Sequence, residues 1–248
     1  MLNSIETRRT IRKYSDRNVD EALLNSLLAR SMRTQTMGNL QLYSVVVTRD
    51  AKMKSALLPA HFGQQMVTEA PVVLTFCADF HRVTRWCEER KANPGYDNML
   101  SFLNAMSDCL LYCQTFCNLA EESGLGLCYL GTTLYNADQI IDTLHLPELT
   151  IPVATITLGW PAEEPALTDR LPLSAIVHAE TYGEYSREVL DTVYEEKEHL
   201  AENIHFVELN KKETLAQVFT DCRYRKEDNE AISARLKDTL RKQGFLND

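Results

Sequence analysis

The sequence predicts an α+β chain, and three observations carry that reading. Residues 43–48, 72–78 and 153–158 are β-branched or continuously apolar runs bounded by turn residues, which is the pattern of strands. Between them lie segments with apolar residues at three- and four-residue spacing, the helical pattern. Finally, Gly124, Gly126 and Gly131 lack the spacing of the dinucleotide fingerprint, and a strand-like segment follows them where that motif needs a helix, so a Rossmann site is rejected.

In chain order, residues 4–8 read as a short helix, and Tyr14-Ser15-Asp16 as its exit. Asp20 is placed to cap the next helix, whose Leu23, Leu24, Leu27 and Leu28 share one face. A polar loop with one glycine, 34–41, runs into the first strand, and a helix starts near Ala51. Pro71 starts the second strand, where a missing N–H is tolerated, and that strand reads as buried on both faces. The longest helix, 97–123, ends at Gly124, a residue suited to a left-handed cap. Its apolar residues Met99, Leu100, Phe102, Leu103, Met106, Leu110, Phe116 and Leu119 occupy more than one stripe, which points to a subunit interface. Asn136 is placed to cap the helix 137–144, and residues 153–158 form the last core strand. From Glu184 on, 26 of 65 residues are charged, so 184–248 is expected to be a charged helical extension that wraps the body of a single domain, 1–248, without a second core.

Composition narrows the function classes. A net charge of −9 and a pI near 5.2 argue against nucleic acid or an anionic membrane surface as partner, since both need a basic footprint. The stretch Met1–Glu6 has neither the basic flank nor the apolar core of a leader, and no run has the ~20 apolar residues of a membrane span, so a cytoplasmic protein is expected. Seven cysteines in apolar surroundings suit a reducing compartment. Cys109, Cys113 and Cys117 repeat every four residues among Leu110, Tyr112 and Phe116, so packing is favoured over a metal site, and no metal is expected. The six histidines are scattered, and none is assigned a role. Trp86 and Trp160 read as core or lid aromatics.

Against this acidic background Arg8-Arg9-Thr10-Ile11-Arg12 places three guanidiniums within five positions. Guanidinium forks match phosphate oxygens in pairs, and the Thr10 hydroxyl adds a donor, so a small anion is the expected partner.

Taken together and in order, Arg8-Arg9-Thr10-Ile11-Arg12-Lys13-Tyr14, Gly38-Asn39-Leu40-Gln41, Glu122-Ser123-Gly124-Leu125-Gly126, Leu158-Gly159-Trp160-Pro161-Ala162 and Arg170-Leu171-Pro172 resemble the motifs of FMN-dependent nitroreductases. Within them Phe76-Cys77-Ala78-Asp79-Phe80, Val177-His178 and Arg241-Lys242-Gln243-Gly244-Phe245 resemble the oxygen-insensitive NADPH nitroreductase and flavin reductase subgroup. The resemblance implies a nitroreductase-like fold, a mixed and largely antiparallel sheet between helix layers, in an intertwined homodimer with FMN at the interface. It implies an oxidoreductase that moves hydride from NADPH or NADH by way of flavin N5 to nitroaromatics, quinones or free flavins, in ping-pong two-electron turnover.

By the same resemblance Arg8, Arg9 and Thr10 are expected near the FMN phosphate and ribityl chain, Arg170 at the phosphate, and Arg12 beside the pyrimidine N1, where it tunes the flavin's charge. Gln35, Thr36, Met37 and Asn39 would line the flavin, partly from the second subunit, with Gln64 at the pyrimidine edge and Leu130, Gly131 and Thr132 toward N5. Gln35-Thr36 stands where the family loop reads Pro-Ser, and Thr168 stands where the subgroup often has Lys. The subgroup's arginines for the NADPH 2′-phosphate have no clear match; Lys211 and Lys212 are the candidates, with Arg223, Arg225 and Lys226 next. Two other readings remain open: a flavin-holding storage or redox-sensing protein without efficient turnover, and an acidic interaction module whose arginines are a surface cluster.

Overall fold

The computed structural model describes residues 4–247. Met1, Leu2 and Asn3, the first half of the stretch read above as lacking a leader, lie outside them. The chain divides into two compact units, one running to Ala166 and resuming at Ser233, the other Leu167–Ile232.

The first unit is built on a four-stranded sheet: β1 Tyr43–Thr48, β2 Val72–Asp79, β3 Gly126–Leu130 and β4 Thr150–Gly159, in the order β1-β2-β4-β3. All three pairings are antiparallel, so among the described residues the expected sheet shows no parallel pair. The fold is α+β, as the family resemblance implies, although strand and helix segments alternate along the chain. β2 and β4 are buried along their whole length because both are central and both faces are covered. Period-two alternation divides β2 between two apolar clusters: Val72, Leu74, Phe76 and Ala78 face the cluster of the long helix Met99–Glu122, while Val73 joins a smaller cluster with Leu57, Val67, Leu130 and Ile140. The register slips between Phe76 and Cys77, which pair with Ala154 and Pro152, so Val153 is the extra residue of a bulge. A proline, with no N–H to give the ladder, is tolerated at such an irregularity.

The long helix ends where Gly124, at φ +82°, adopts the left-handed conformation that a side chain disfavours. Its Cys109, Cys113 and Cys117 are buried, and burial pushes Cys109 well above the ordinary thiol range. Asp20 caps Glu21–Ser31 by accepting from the Leu23 N–H at 3.1 Å. Asn136 stands at the start of Ala137–Leu144 but does not cap it: its Nδ2 donates to the Ala60 carbonyl at 2.7 Å, a buried bond between distant segments that outweighs the local one. Leu240 and Phe245, in the charged C-terminal stretch, are buried in the main cluster of the first unit.

The second unit carries the helices Arg187–His199, Ala201–Leu209 and Leu215–Val218. Thr214 and Gln217 form a reciprocal capping box at the last of these. Among the described residues no helix is long and apolar enough to cross a membrane, and no cluster of three or more His, Cys, Asp or Glu side chains is grouped to hold a metal.

Candidate functional site

The arginine stretch is laid along β3. The Ile11 N–H donates to the Leu127 carbonyl at 3.0 Å, the Ala162 N–H to the Lys13 carbonyl at 3.0 Å, and Tyr14 bridges to Pro161. Close approach is possible because position 126 is glycine: a Cβ there would stand 2.7 Å from Ile11 Cγ1. Two adjoining cavities result, one of about 270 Å³ walled by Arg8, Thr10, Arg12, Glu121, Leu127 and Tyr129, the other of about 350 Å³ walled by Arg8, Arg9, Glu121, Gly126, Glu163 and Glu164.

The three guanidiniums differ in what they hold. Arg8 donates to the Thr10 hydroxyl at 3.2 Å and stands 3.6 Å from Glu121. Arg9 donates to the carbonyls of Pro165 at 2.7 Å and Thr7 at 3.0 Å and stands 3.7 Å from Glu164, so each of its three nitrogens has a partner. Arg12 is exposed at the mouth of the smaller cavity next to Cys128, whose thiol burial pushes up and Arg12 pulls part of the way back. Glu163 accepts the backbone N–H groups of Arg12 at 2.6 Å and Lys13 at 3.0 Å, which holds its carboxyl below the usual range and fixes the backbone that aims Arg12. Elsewhere in the lining of the smaller cavity, burial pushes the Tyr129 phenol up to about 12.

The polar loop is built by groups that lie far away in sequence. Asp108, buried in the middle of the long helix, accepts the Met37 N–H at 2.8 Å and the Leu42 N–H at 3.2 Å. Arg82 holds the opposite side, donating to the carbonyls of Gln41 and, at 3.4 Å, Tyr43. Between these anchors Gly38, Asn39 and Gln41 have φ of 56°, 54° and 48°, a shape that fixed anchors can sustain. Gln35, Met37 and Asn39 are left exposed, and Thr36 half-buried.

A third group collects around His61. Its ring is fully buried, and its Nδ1 is hydrogen-bonded to the Thr132 hydroxyl at 2.9 Å, while Nε2 has no partner among the described residues. Burial lowers its pKa to about 4, so the ring is neutral. The Gln64 N–H donates to the His61 carbonyl at 3.2 Å, so one residue ties Gln64 to Thr132. Leu130 is buried in the smaller cluster and can offer a ligand only its backbone, whereas Gly131 is exposed.

The sequence-derived candidates therefore fall into three groups in the first unit: the arginine stretch, the 35–39 loop, and Gln64 with 130–132. Asp108, Arg82, Glu121, Glu163 and His61 were missed, because each acts across 39 or more positions of chain, where no spacing rule applies. The buried Asp108 inside an apolar helix was the one available signal.

A model described as the nitroreductase family matches residues 5–160, which includes all three groups. This chain belongs to the nitroreductase family. Among curated relatives of this nitroreductase, the oxygen-insensitive NADPH nitroreductase of Salmonella typhimurium is 30% identical over 73% of this chain and 74% of its own length. The FMN reductase [NAD(P)H] of Bacillus subtilis is 29% identical over 73% of this chain and 74% of its own. A solved structure from Bacteroides fragilis, described as a "putative oxidoreductase", is 58% identical, covers 99% of this chain and 100% of its own, and superposes with a TM-score of 0.98.

The remaining candidates of this nitroreductase lie in the second unit. Arg170 donates to the Thr168 hydroxyl and to the Asp169 carbonyl, both at 2.7 Å. Lys212 is paired with Asp221 at 2.8 Å, and Lys211 is exposed at φ 53°. Arg225 forms a two-pronged pair with Asp228 at 2.8 and 2.9 Å, and Lys226 stands 3.8 Å from Glu230. Arg223 lies over the rings of Phe206 and Phe219, 4.4 and 5.6 Å from their centroids.

Proposed function

We propose that this chain is an FMN-dependent oxidoreductase that passes two electrons from NADPH or NADH to nitroaromatics, quinones or free flavins. The observation that carries the reading is the smaller cavity, whose lining combines Arg8, Thr10 and Arg12 with Leu127 and Tyr129: cations and a hydroxyl for a phosphate, apolar and aromatic side chains for a flat ring. The residues present fit FMN for that reason. Bound FMN would supply the hydride chemistry, so the chain needs to bind, orient and shield without a nucleophile of its own.

Arg8 and Thr10 are assigned to the phosphate, with Arg9 contributing the Nη2 that now stands near Glu164. Arg12 would supply a fixed positive charge on the pyrimidine side, where it would favour the anionic reduced form of a bound flavin. Gln35, Thr36, Met37 and Asn39, on the loop held by Asp108 and Arg82, would line the ring, partly from the second subunit, and Gln64, Gly131, Thr132 and the Leu130 backbone would meet its edge. NADPH or NADH and the acceptor would use the bound flavin in turn, which would make the kinetics ping-pong.

A cavity of about 270 Å³ lies just below the roughly 300–1,000 Å³ of ordinary sites, and a second copy of the chain would complete it. The exposed Leu100, Leu103 and Leu111, on one face of the long helix, are the surface for that copy. The visible absorption spectrum of the purified chain tests the reading. A flavin band bleached by NAD(P)H and restored by a quinone is expected; colourless protein that takes up no FMN would end it.

A further inference from the structure

Glu121, at the end of the long helix, is a carboxylate that nothing in the proposed chemistry uses, yet it forms part of the wall of both cavities. Its side chain is only 10% exposed, and its Oε1 stands 3.6 Å from Arg8 Nη1. Among the described residues Arg8 is hydrogen-bonded to one other group, the Thr10 hydroxyl. A phosphate brought to Arg8 and Thr10 therefore arrives beside a carboxylate already drawn to the same guanidinium.

Among the described residues the surrounding charges are disposed so that Glu121 has Arg8 as its one ion-pair partner. Glu163 is held by the Arg12 and Lys13 N–H groups, Glu164 faces Arg9, Glu122 takes the Ser4 N–H at 3.4 Å, and Glu6 on the short helix is exposed. Arg9 and Arg12 border the two cavities with Arg8, and Cys117 and Tyr129 complete the titratable groups of the smaller one. Burial pushes the Glu121 carboxyl up to about 7, more than Arg8 pulls it down. Two phosphate charges placed against it favour its neutral form further, because like charges a few ångströms apart resist ionisation together.

We propose that Glu121 competes with the ligand's phosphate for Arg8, so that binding of a flavin phosphate ester takes up a proton from solvent at Glu121. Affinity for FMN is then set by pH through the protein, with a sign opposite to the ligand's own. The phosphate's second ionisation, near pH ~6, favours binding as pH rises and is complete by neutrality, whereas Glu121 weakens binding above it. This rests on the assignment of Arg8 to the phosphate.

The test is calorimetric titration of FMN and of riboflavin into the flavin-free full chain, in two buffers of different ionisation heat. FMN affinity should fall roughly tenfold from about pH 7 to about pH 8.5, with close to one proton taken up per FMN at the alkaline end and none per riboflavin. Glu121→Gln should remove the alkaline fall and bind FMN at about pH 8.5 at least as tightly as the wild type does near neutrality. Identical pH profiles for FMN and riboflavin in the wild type overturn the proposal, a comparison that needs no variant to fold. So does a Glu121→Gln chain that folds but binds FMN more weakly at every pH, the mark of a merely structural carboxylate. Arg8→Ala separates the two levels: equal losses for FMN and riboflavin would remove the phosphate assignment, and a loss confined to FMN with no proton uptake in the wild type would remove only the coupling.

Discussion

The two units carry cations in two different ways. In the first, Arg8 and Arg12 stand on a cavity wall whose carboxylates are themselves arranged around them: Glu163 binds the backbone at Arg12, and Glu121 approaches Arg8 from a buried position. In the second, the charges are mostly satisfied locally, Lys212 by Asp221, Arg225 by Asp228, and Arg170 by Thr168 and the carbonyl before it. A count of basic residues does not distinguish the two patterns. What distinguishes them is whether the neighbouring carboxylate takes the guanidinium head or leaves it facing a cavity.

That contrast is sharpest at Arg8. Arg8→Ala should weaken FMN by roughly 10- to 100-fold more than it weakens riboflavin, since a charge-assisted bond of ~1.5–3 kcal/mol is lost only with the phosphorylated ligand. Fluorescence titration of both flavins reads the difference, and parallel losses would put Arg8 among the locally satisfied cations instead.

Arg12→Ala should retain much of the FMN affinity while slowing flavin reduction by NAD(P)H roughly tenfold, because the fixed positive charge on the pyrimidine side goes and the phosphate ligands stay. Rapid mixing against each donor measures the rate. A variant reduced as fast as the wild type, at an unchanged flavin potential, would leave Arg12 as a surface charge.

Arg170→Ala should cost FMN more than riboflavin, but by a factor of roughly three to ten, less than Arg8, because its Nη1 already donates to Thr168 and Asp169. A loss as large as that of Arg8→Ala would break the contrast between the units.

The smallest effect is expected at the donor's phosphate. Lys212 is paired and partly exposed, so Lys211→Ala/Lys212→Ala should change the ratio of kcat/KM for NADPH over NADH by about threefold or less, and the wild-type preference should shrink as salt screens the remaining charges. A strong NADPH preference that survives the double variant would move recognition to Arg223, the cation of its group that lies on aromatic rings with no carboxylate partner among the described residues.

The elements were legible where their cause is local. β1 begins and ends as its β-branched run does, and β2 lacks only Asp79 in the reading, because side-chain alternation and a continuous apolar run are written into consecutive residues. Asp20 was legible as a cap for the same reason: its acceptor and its donor are three positions apart. Asn136 shows the limit. It has the right type at the right place, but the Ala60 carbonyl, unknowable from spacing, claims its side chain. Pro152 and the bulge beside it likewise belong to a pairing between strands that lie more than 70 positions apart.

The sequence by itself determined which chemistry was available: the cluster of guanidiniums, the apolar long helix, the strands that build the sheet, and the ordered motifs of the family. Tertiary structure decided which of those groups can act. It set Arg8 and Arg12 on one cavity and turned Arg9 toward the Pro165 carbonyl, because β3 lies beneath them and Gly126 lets the backbone approach. It also brought Asp108 under the 37–42 loop and Glu121 beside Arg8. Covalent neighbours fix propensity and charge, while burial and the distance between charges exist only once segments far apart in the chain have met, and those two quantities decide whether a carboxylate keeps its proton.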